Sequence, residues 1–190
     1  MADFKVHDVE SPSADAAQVL ERAQATFGMV PNLLGILAEA PSAANAYLDL
    51  HEAFAASSLT HVEQQVVLLT TSFENGCSYC MAAESAVAAM METDPAVIEA
   101  LREGRPLPDD RLDALGRFTR EVVAQRGWVS EREVDRFLAA GFTRSKILEV
   151  VLGVTKKTLS NYANHIADTP LDPAFDGQAW SRPQMAGVDG

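Results

Sequence analysis

The stretch Leu59-Thr60, Glu63-Gln64-Gln65-Val66-Val67-Leu68-Leu69 and Ser72-Phe73-Glu74-Asn75-Gly76-Cys77-Ser78-Tyr79-Cys80-Met81-Ala82-Ala83-Glu84 decides how the rest of the chain is read. Thr60 followed by Glu63 matches a capping box, in which a hydroxyl and a carboxylate satisfy the free N–H groups of a helix start reciprocally. A helix is expected to begin there, to bury Val62, Val66, Leu69 and Phe73 on one face, and to end near Asn75-Gly76, where glycine can take the left-handed conformation of a helix end. Residues 78–91 contain no Gly or Pro and are rich in Ala and Met. The cysteine pair is therefore expected to open a second helix rather than to sit within a loop.

Outward from this centre, apolar residues recur at helical spacing and long alternating runs are missing, which predicts an all-α fold. Towards the amino end, helices are expected over residues 13–27 and 33–39, punctuated by Gly28 and Val30-Pro31-Asn32, and again from Pro41 to about residue 57. Towards the carboxyl end, Asp94-Pro95 starts a short helix to about residue 102, residues 104–108 form a linker, and residues 109–125 form a long amphipathic helix. Ser130 and Glu133 make a second capping box for a helix ending by Leu138, and residues 143–167 form the last long helix. Ile147, Val150, Val151, Val154 and Leu159 are spaced on it for burial. Residues 1–170 are read as one domain and 171–190 as a tail, in which Pro170, Pro173, Gly177, Pro183 and Gly187 forbid a long helix. Phe175 and Trp180 are the residues that would anchor that tail to a neighbouring subunit.

The 190 residues suffice for one domain with a real core, 47% of them being apolar. The formal charge of −12 speaks against a nucleic-acid partner, which depends on clustered Lys and Arg. The longest aliphatic run, Val66 to Leu69, is far short of the roughly 20 residues needed to span a bilayer, so no membrane partner is expected. The first ten residues are polar and acidic, unlike a signal peptide, and the expected compartment is the cytoplasm.

Two cysteines three positions apart are a poor disulfide framework for a chain of this size, and in a reducing compartment such a pair does redox or metal chemistry. A thiol must be a thiolate to attack a peroxide or disulfide, and a helix amino terminus favours that anion. The gap of two residues lets the pair close as a disulfide, so that one cysteine resolves the oxidation of the other. Taken alone, the helix-terminus argument favours Cys77 as the reactive thiol. The competing readings are a buried structural pair and half of a zinc site, but His7, His51, His61 and His165 lack the paired spacing of tetrahedral zinc ligands, and no metal is expected.

The quoted stretch resembles the core of the alkylhydroperoxidase D proteins. Gly28-Met29-Val30-Pro31-Asn32-Leu33 through Ala40-Pro41, and Asn161-Tyr162-Ala163-Asn164-His165, resemble the peroxidase-related branch of the carboxymuconolactone decarboxylase superfamily, so that the likeness spans roughly residues 28–175. The resemblance implies a helical bundle assembled as a homo-trimer or homo-hexamer, without a bound cofactor. It makes Cys80 the peroxidatic thiol, Cys77 the resolving one, and an external dithiol the reductant; the substrate is a small organic hydroperoxide or a disulfide, and the role is antioxidant. The family relay has Glu twelve residues before the first cysteine and His four residues after the second, where this chain has Gln65 and Glu84; a His often found between the cysteines is Tyr79. Gln cannot accept a proton, and a carboxylate repels the thiolate it should help to form. Three residues are candidates to restore the relay: Glu84 as a base if burial raises its pKa, Glu63 as the missing carboxylate, and His165 if the last helix packs against the pair.

Met81, Met90 and Met91 are read as core fillers, Trp128 and Trp180 as packing anchors, His51 and His61 as surface residues, and Asp109-Asp110 as a solvated helix start. Besides the thiol peroxidase, two other functions stand open. One is a carboxymuconolactone decarboxylase-like enzyme, which calls for basic residues around an anionic substrate, and the sequence offers few obvious ones. The other is a non-catalytic relative that kept the fold and lost the relay.

Overall fold

In the computed structural model, which describes residues 4–10 and 13–183, the chain is all-α, with no strand among the described residues. The helices are α1 (Ala14–Phe27), α2 (Asn32–Leu37), α3 (Pro41–Ala55), α4 (His61–Asn75), α5 (Ser78–Met90), α6 (Pro95–Glu103), α7 (Asp110–Ala124), α8 (Glu131–Ala139) and α9 (Arg144–Ala167), followed by a 3-10 helix, Pro173–Gln178. Local chemistry sets most of these limits. Both arms of the Thr60–Glu63 capping box are made, and Gly28, Gly76 and Gly104 close α1, α4 and α6 in the left-handed conformation. At α8 only half of the second box forms. Ser130 accepts from the Glu133 N–H, but the Glu133 carboxylate turns to Arg136 instead, at 2.6 Å.

Helix α4 is the axis of the molecule. It packs against α5, α6, α7 and α9 together, so every residue from Glu63 to Phe73 is buried, not the single face its apolar spacing predicts. Its polar side chains are accommodated locally: Thr71 and Ser72 donate to the carbonyls of Val67 and Leu68 at 2.7 and 2.9 Å, and Gln64 donates to the Leu59 carbonyl at 3.1 Å. The apolar residues fall into two clusters. One joins α4 to α6–α9, with Phe118, Phe137 and Phe142 stacked in series; the other joins α1–α3 to Cys77, Tyr79 and Cys80 at the start of α5.

Helix α9 crosses both halves, packing on α2, α3, α4, α5 and α7. Its buried face is Val150, Gly153, Lys156, Lys157, Ser160, Asn161 and Asn164, so beyond Val150 the inward side is polar where an apolar stripe is expected. Val151 is correspondingly half exposed. Three other expectations are corrected by exposure: Met90, Met91 and Trp128 stand in solvent, Trp128 at 88%, and neither fill nor anchor a core, whereas Met81 is fully buried. The tail anchors to its own chain. The Trp180 indole N–H donates to the Arg102 carbonyl at 2.8 Å beside the Phe73 ring, and Phe175 meets Tyr79 edge-on. Residues 184–190 of the expected tail, including Gly187, lie outside the described residues. No helix among the described residues is long and apolar enough to cross a membrane.

Gly153 lets α9 come close to Phe54 of α3 and Val67 of α4. A Cβ there would stand 2.7 Å from the Phe54 ring and 2.7 Å from Val67 Cγ1, which no rotamer change of Gly153 itself can relieve. Gly153→Ala is expected to destabilise the fold by about 1–3 kcal/mol, the usual cost of overpacking, read as a lower midpoint in urea with an unchanged slope.

Candidate active site

The cysteine pair stands where α4 ends and α5 begins. Gly76 turns the chain with φ of 69°, Cys77 caps α5, and Cys80 lies one turn further on, so both thiols point into the layer between α5, α9 and the α1–α3 cluster. Both are reduced and buried. From α9, the Asn164 side-chain N–H reaches Cys80 Sγ at 3.2 Å and Cys77 Sγ at 3.9 Å, and Ser160 Oγ lies 3.7 Å from Cys80 Sγ.

Opposite the pair lies a buried ion cluster that the sequence reading did not anticipate. Lys157 Nζ donates to Glu84 Oε1 at 2.8 Å, and Lys156 Nζ stands 3.9 Å from the same oxygen. All three side chains are nearly inaccessible to solvent. The available signal was periodicity: Lys157 lies seven residues after the buried Val150 and Asn164 seven further on, so the inner face of α9 continues through both.

This arrangement separates the two thiols. Burial pushes Cys80 up, but the hydrogen bond from Cys77, the charge of Lys157 and the Ser160 hydroxyl outweigh it and hold Cys80 at about 5. Cys77 is driven up, first by keeping its proton in that hydrogen bond and then by burial. The directions of these shifts favour Cys80 as the thiolate over the helix-capping Cys77 that the helix-terminus argument alone favours. A full ammonium and three hydrogen-bonding groups at Cys80 outweigh the partial charge of a helix end.

Cys80 also lines a cavity, which Cys77 does not. Its volume is about 300 Å³, with walls that include Phe27, Leu34, Phe54, Leu68 and Phe175, and a polar floor of Cys80, Glu84, Lys156, Lys157, Gln65 and His51. Buried Gln65 Oε1 and His51 Nδ1 have no hydrogen-bond partner. Burial, helped by Lys156, lowers His51 to about 4, leaving a neutral imidazole at pH 7. Expected as a surface residue, His51 is instead part of the site; His61 is exposed, as expected, and borders the cavity. Tyr79 braces one wall. Its hydroxyl donates to Asp172 at 2.5 Å and accepts from the Leu33 N–H at 3.2 Å, and Asp172 also accepts from the Asn32 N–H at 3.0 Å.

Of the candidates for the missing relay, only Glu84 is in the cavity, and it is not a base of raised pKa. Burial acts upward, but Lys157 and Lys156 bring it down to about 2, so its role is that of a permanent anion. Glu63 belongs to the far end of α4, about 20 Å along the helix at 1.5 Å per residue, where it completes the capping box and pairs with Arg111 and, at 3.0 Å, Lys146. His165 is exposed in the last turn of α9; the neighbouring Asn164 is the residue that meets the thiols. Among the described residues no group of His, Cys, Asp or Glu is arranged to hold a metal ion.

No family model and no curated protein matches this sequence. Solved structures do match its fold. A peroxidase-related protein with an alkylhydroperoxidase D core from Ralstonia eutropha JMP134 superposes with a TM-score of 0.80 at 23% identity, covering 90% of this chain and 93% of that one. A peroxidase-related protein from Silicibacter sp. TM1040 gives 0.77 at 22% identity, with 93% and 96% covered. The debrominase Bmp8, solved with 2,3,4-tribromopyrrole, gives 0.77 at 14% identity, with 94% and 95% covered. At such identities the likeness is one of architecture, and the architecture of this chain is the all-α alkylhydroperoxidase D fold.

Proposed function

We propose that this chain is an alkylhydroperoxidase-like thiol oxidoreductase in which Cys80 attacks and Cys77 resolves. The observation that carries this reading is the placement of Cys80 in a largely apolar cavity, beside the buried Lys157–Glu84 pair and the Asn164 side-chain N–H, with Cys77 behind it; these surroundings lower Cys80 and raise Cys77. Cys80 S⁻ attacks the terminal oxygen of an organic hydroperoxide, and the O–O bond breaks. With one proton taken up, the products are Cys80–SOH and an alcohol. The Cys77 thiol then displaces water from the sulfenic acid to form the disulfide, and an external dithiol returns two electrons and two protons. The apolar walls favour a hydrocarbon-bearing hydroperoxide over hydrogen peroxide. The electrons come from sulfur throughout, so the chemistry requires no bound cofactor. An antioxidant role in the cytoplasm is the physiological setting that fits this reaction.

The charge arrangement answers the missing relay. A neutral His and a Glu base are devices for removing a thiol proton; here the fixed charge of Lys157 performs that task, and Glu84 holds Lys157 in place. A homo-oligomer, trimer or hexamer, is part of the proposal. It is supported by an exposed stripe of Leu148, Val151, Tyr162 and Ile166 along the outer face of α9. Light scattering that finds a monomer at working concentration would remove that part.

Two measurements test the reading. With cumene hydroperoxide, wild type is expected to lose both thiols to a disulfide, Cys77→Ser to stop at the Cys80 sulfenic acid, and Cys80→Ser to be inert; equal inertness of all three would refute it. In alkylation by iodoacetamide, the rate at Cys80 is expected to rise as the pH passes about 5 and then level off. Lys157→Met should move that midpoint upward towards the free-cysteine value of about 8.5, while Lys157→Arg, which keeps the charge, should move it much less. An unshifted midpoint in folded Lys157→Met would show that Lys157 does not hold the thiolate.

A further inference from the structure

Breaking the O–O bond leaves an alkoxide in a largely apolar cavity, and the step needs a group there that can give it a proton. Four of the candidates on the cavity floor can be set aside. Glu84 is already ionised; Lys157 is tied to Glu84 at 2.8 Å and held well above its ordinary value; His51 is neutral; Gln65 has no proton to give as an acid. Lys156 remains. It is 3% exposed, lines the cavity beside Cys80, and its ammonium makes no hydrogen bond among the described residues, since Glu84 Oε1 lies at 3.9 Å.

We propose that Lys156 is the general acid of this site, giving its proton to the oxygen that leaves as Cys80 takes the other oxygen of the hydroperoxide. The inference rests on the thiol-peroxidase reading above and adds the proton donor. The step balances: Cys80 S⁻, ROOH and Lys156 NH₃⁺ give Cys80–SOH, ROH and neutral Lys156, which takes its proton back from solvent. Gln65, at the position where a Glu base is expected, lines the same cavity and would act on the substrate by orienting it rather than by taking a proton.

The surroundings set the acid strength. Lys156 faces Glu84 and Cys80 from α5, Lys157 on its own helix, Tyr47 and His51 from α3, and across the cavity Gln65 and His61 from α4. Burial is the largest influence and lowers Lys156; Glu84 and Cys80 act upward and Lys157 downward, and the result is about 8. An acid of that strength is largely protonated at neutral pH and gives its proton up far more readily than an ordinary lysine. The hydroperoxide rate should therefore rise through pH 5 as Cys80 ionises and fall through pH 8 as Lys156 deprotonates.

The test compares three reagents on the full chain, each followed at Cys80 by mass spectrometry: cumene hydroperoxide, whose alkoxide needs a proton, peracetic acid, whose acetate does not, and iodoacetamide, which reports thiolate alone. In Lys156→Met at pH 7 the cumene hydroperoxide rate should fall by about 100-fold or more, with the other two nearly unchanged. Lys156→Arg restores the charge but not an acid that deprotonates in this range, and should leave the cumene hydroperoxide rate low. Parallel slowing of all three reagents, or full recovery of the cumene hydroperoxide rate in Lys156→Arg, overturns the role of Lys156 and leaves the thiol-peroxidase reading standing. A wild-type protein that reacts with iodoacetamide but with neither peroxide overturns both.

Discussion

An ammonium group taken out of water costs several kcal/mol unless a carboxylate meets it at good geometry, and Lys157 is buried to 1% exposure. Its partner at 2.8 Å is Glu84, and that contact ties α5 to α9. With the two helices so joined, Asn164 and Ser160 come opposite Cys80 and Asn161 opposite Asn75. Removing Glu84 leaves two buried ammonium groups without their carboxylate, at a typical cost of about 3–5 kcal/mol, whereas removing Lys157 still leaves Lys156 3.9 Å from Glu84. The same pair that disciplines the packing also supplies the field at Cys80, so stability and reactivity rest on one interaction.

The fold was legible in the sequence because the signals that define helices are local. Thr60, Glu63, Gly76 and Ser130 act over three or four residues, and the boundaries they mark fall within a residue or two of those found. What periodicity could not supply was the direction of polar faces. Ile147, Val150 and Val154 do pack on the core, as their spacing predicts, but the buried side of α9 continues through Lys156, Lys157 and Asn164, because what it meets there is Glu84 and the cysteine pair rather than a hydrocarbon surface. A lysine scores as solvent-facing until its partner is known, and Glu84 lies more than seventy positions earlier in the chain.

The cysteine pair itself was readable, and so were the departures at Gln65 and Glu84; their meaning was not. Read as lost relay residues, they suggest an inactive relative. In three dimensions Glu84 is compensated by two lysines, and Gln65 lines the cavity with its side-chain carbonyl buried and unpartnered. Glu63 and His165 were reasonable substitutes by residue type, but one is engaged at the opposite end of α4 and the other looks outward. Proximity in sequence to a motif is weak evidence of proximity in space when helix faces are not known.

The floor of the cavity holds two ammonium groups, one carboxylate and one thiolate, and so carries no net charge while Cys80 is reduced. If the proposed disulfide closes, the thiolate is lost and a surplus positive charge is left on buried groups. The least basic of the groups, Lys156, is the one that sheds a proton to restore neutrality. Oxidation and proton release are therefore linked at this site, which makes the midpoint potential of the pair depend on pH.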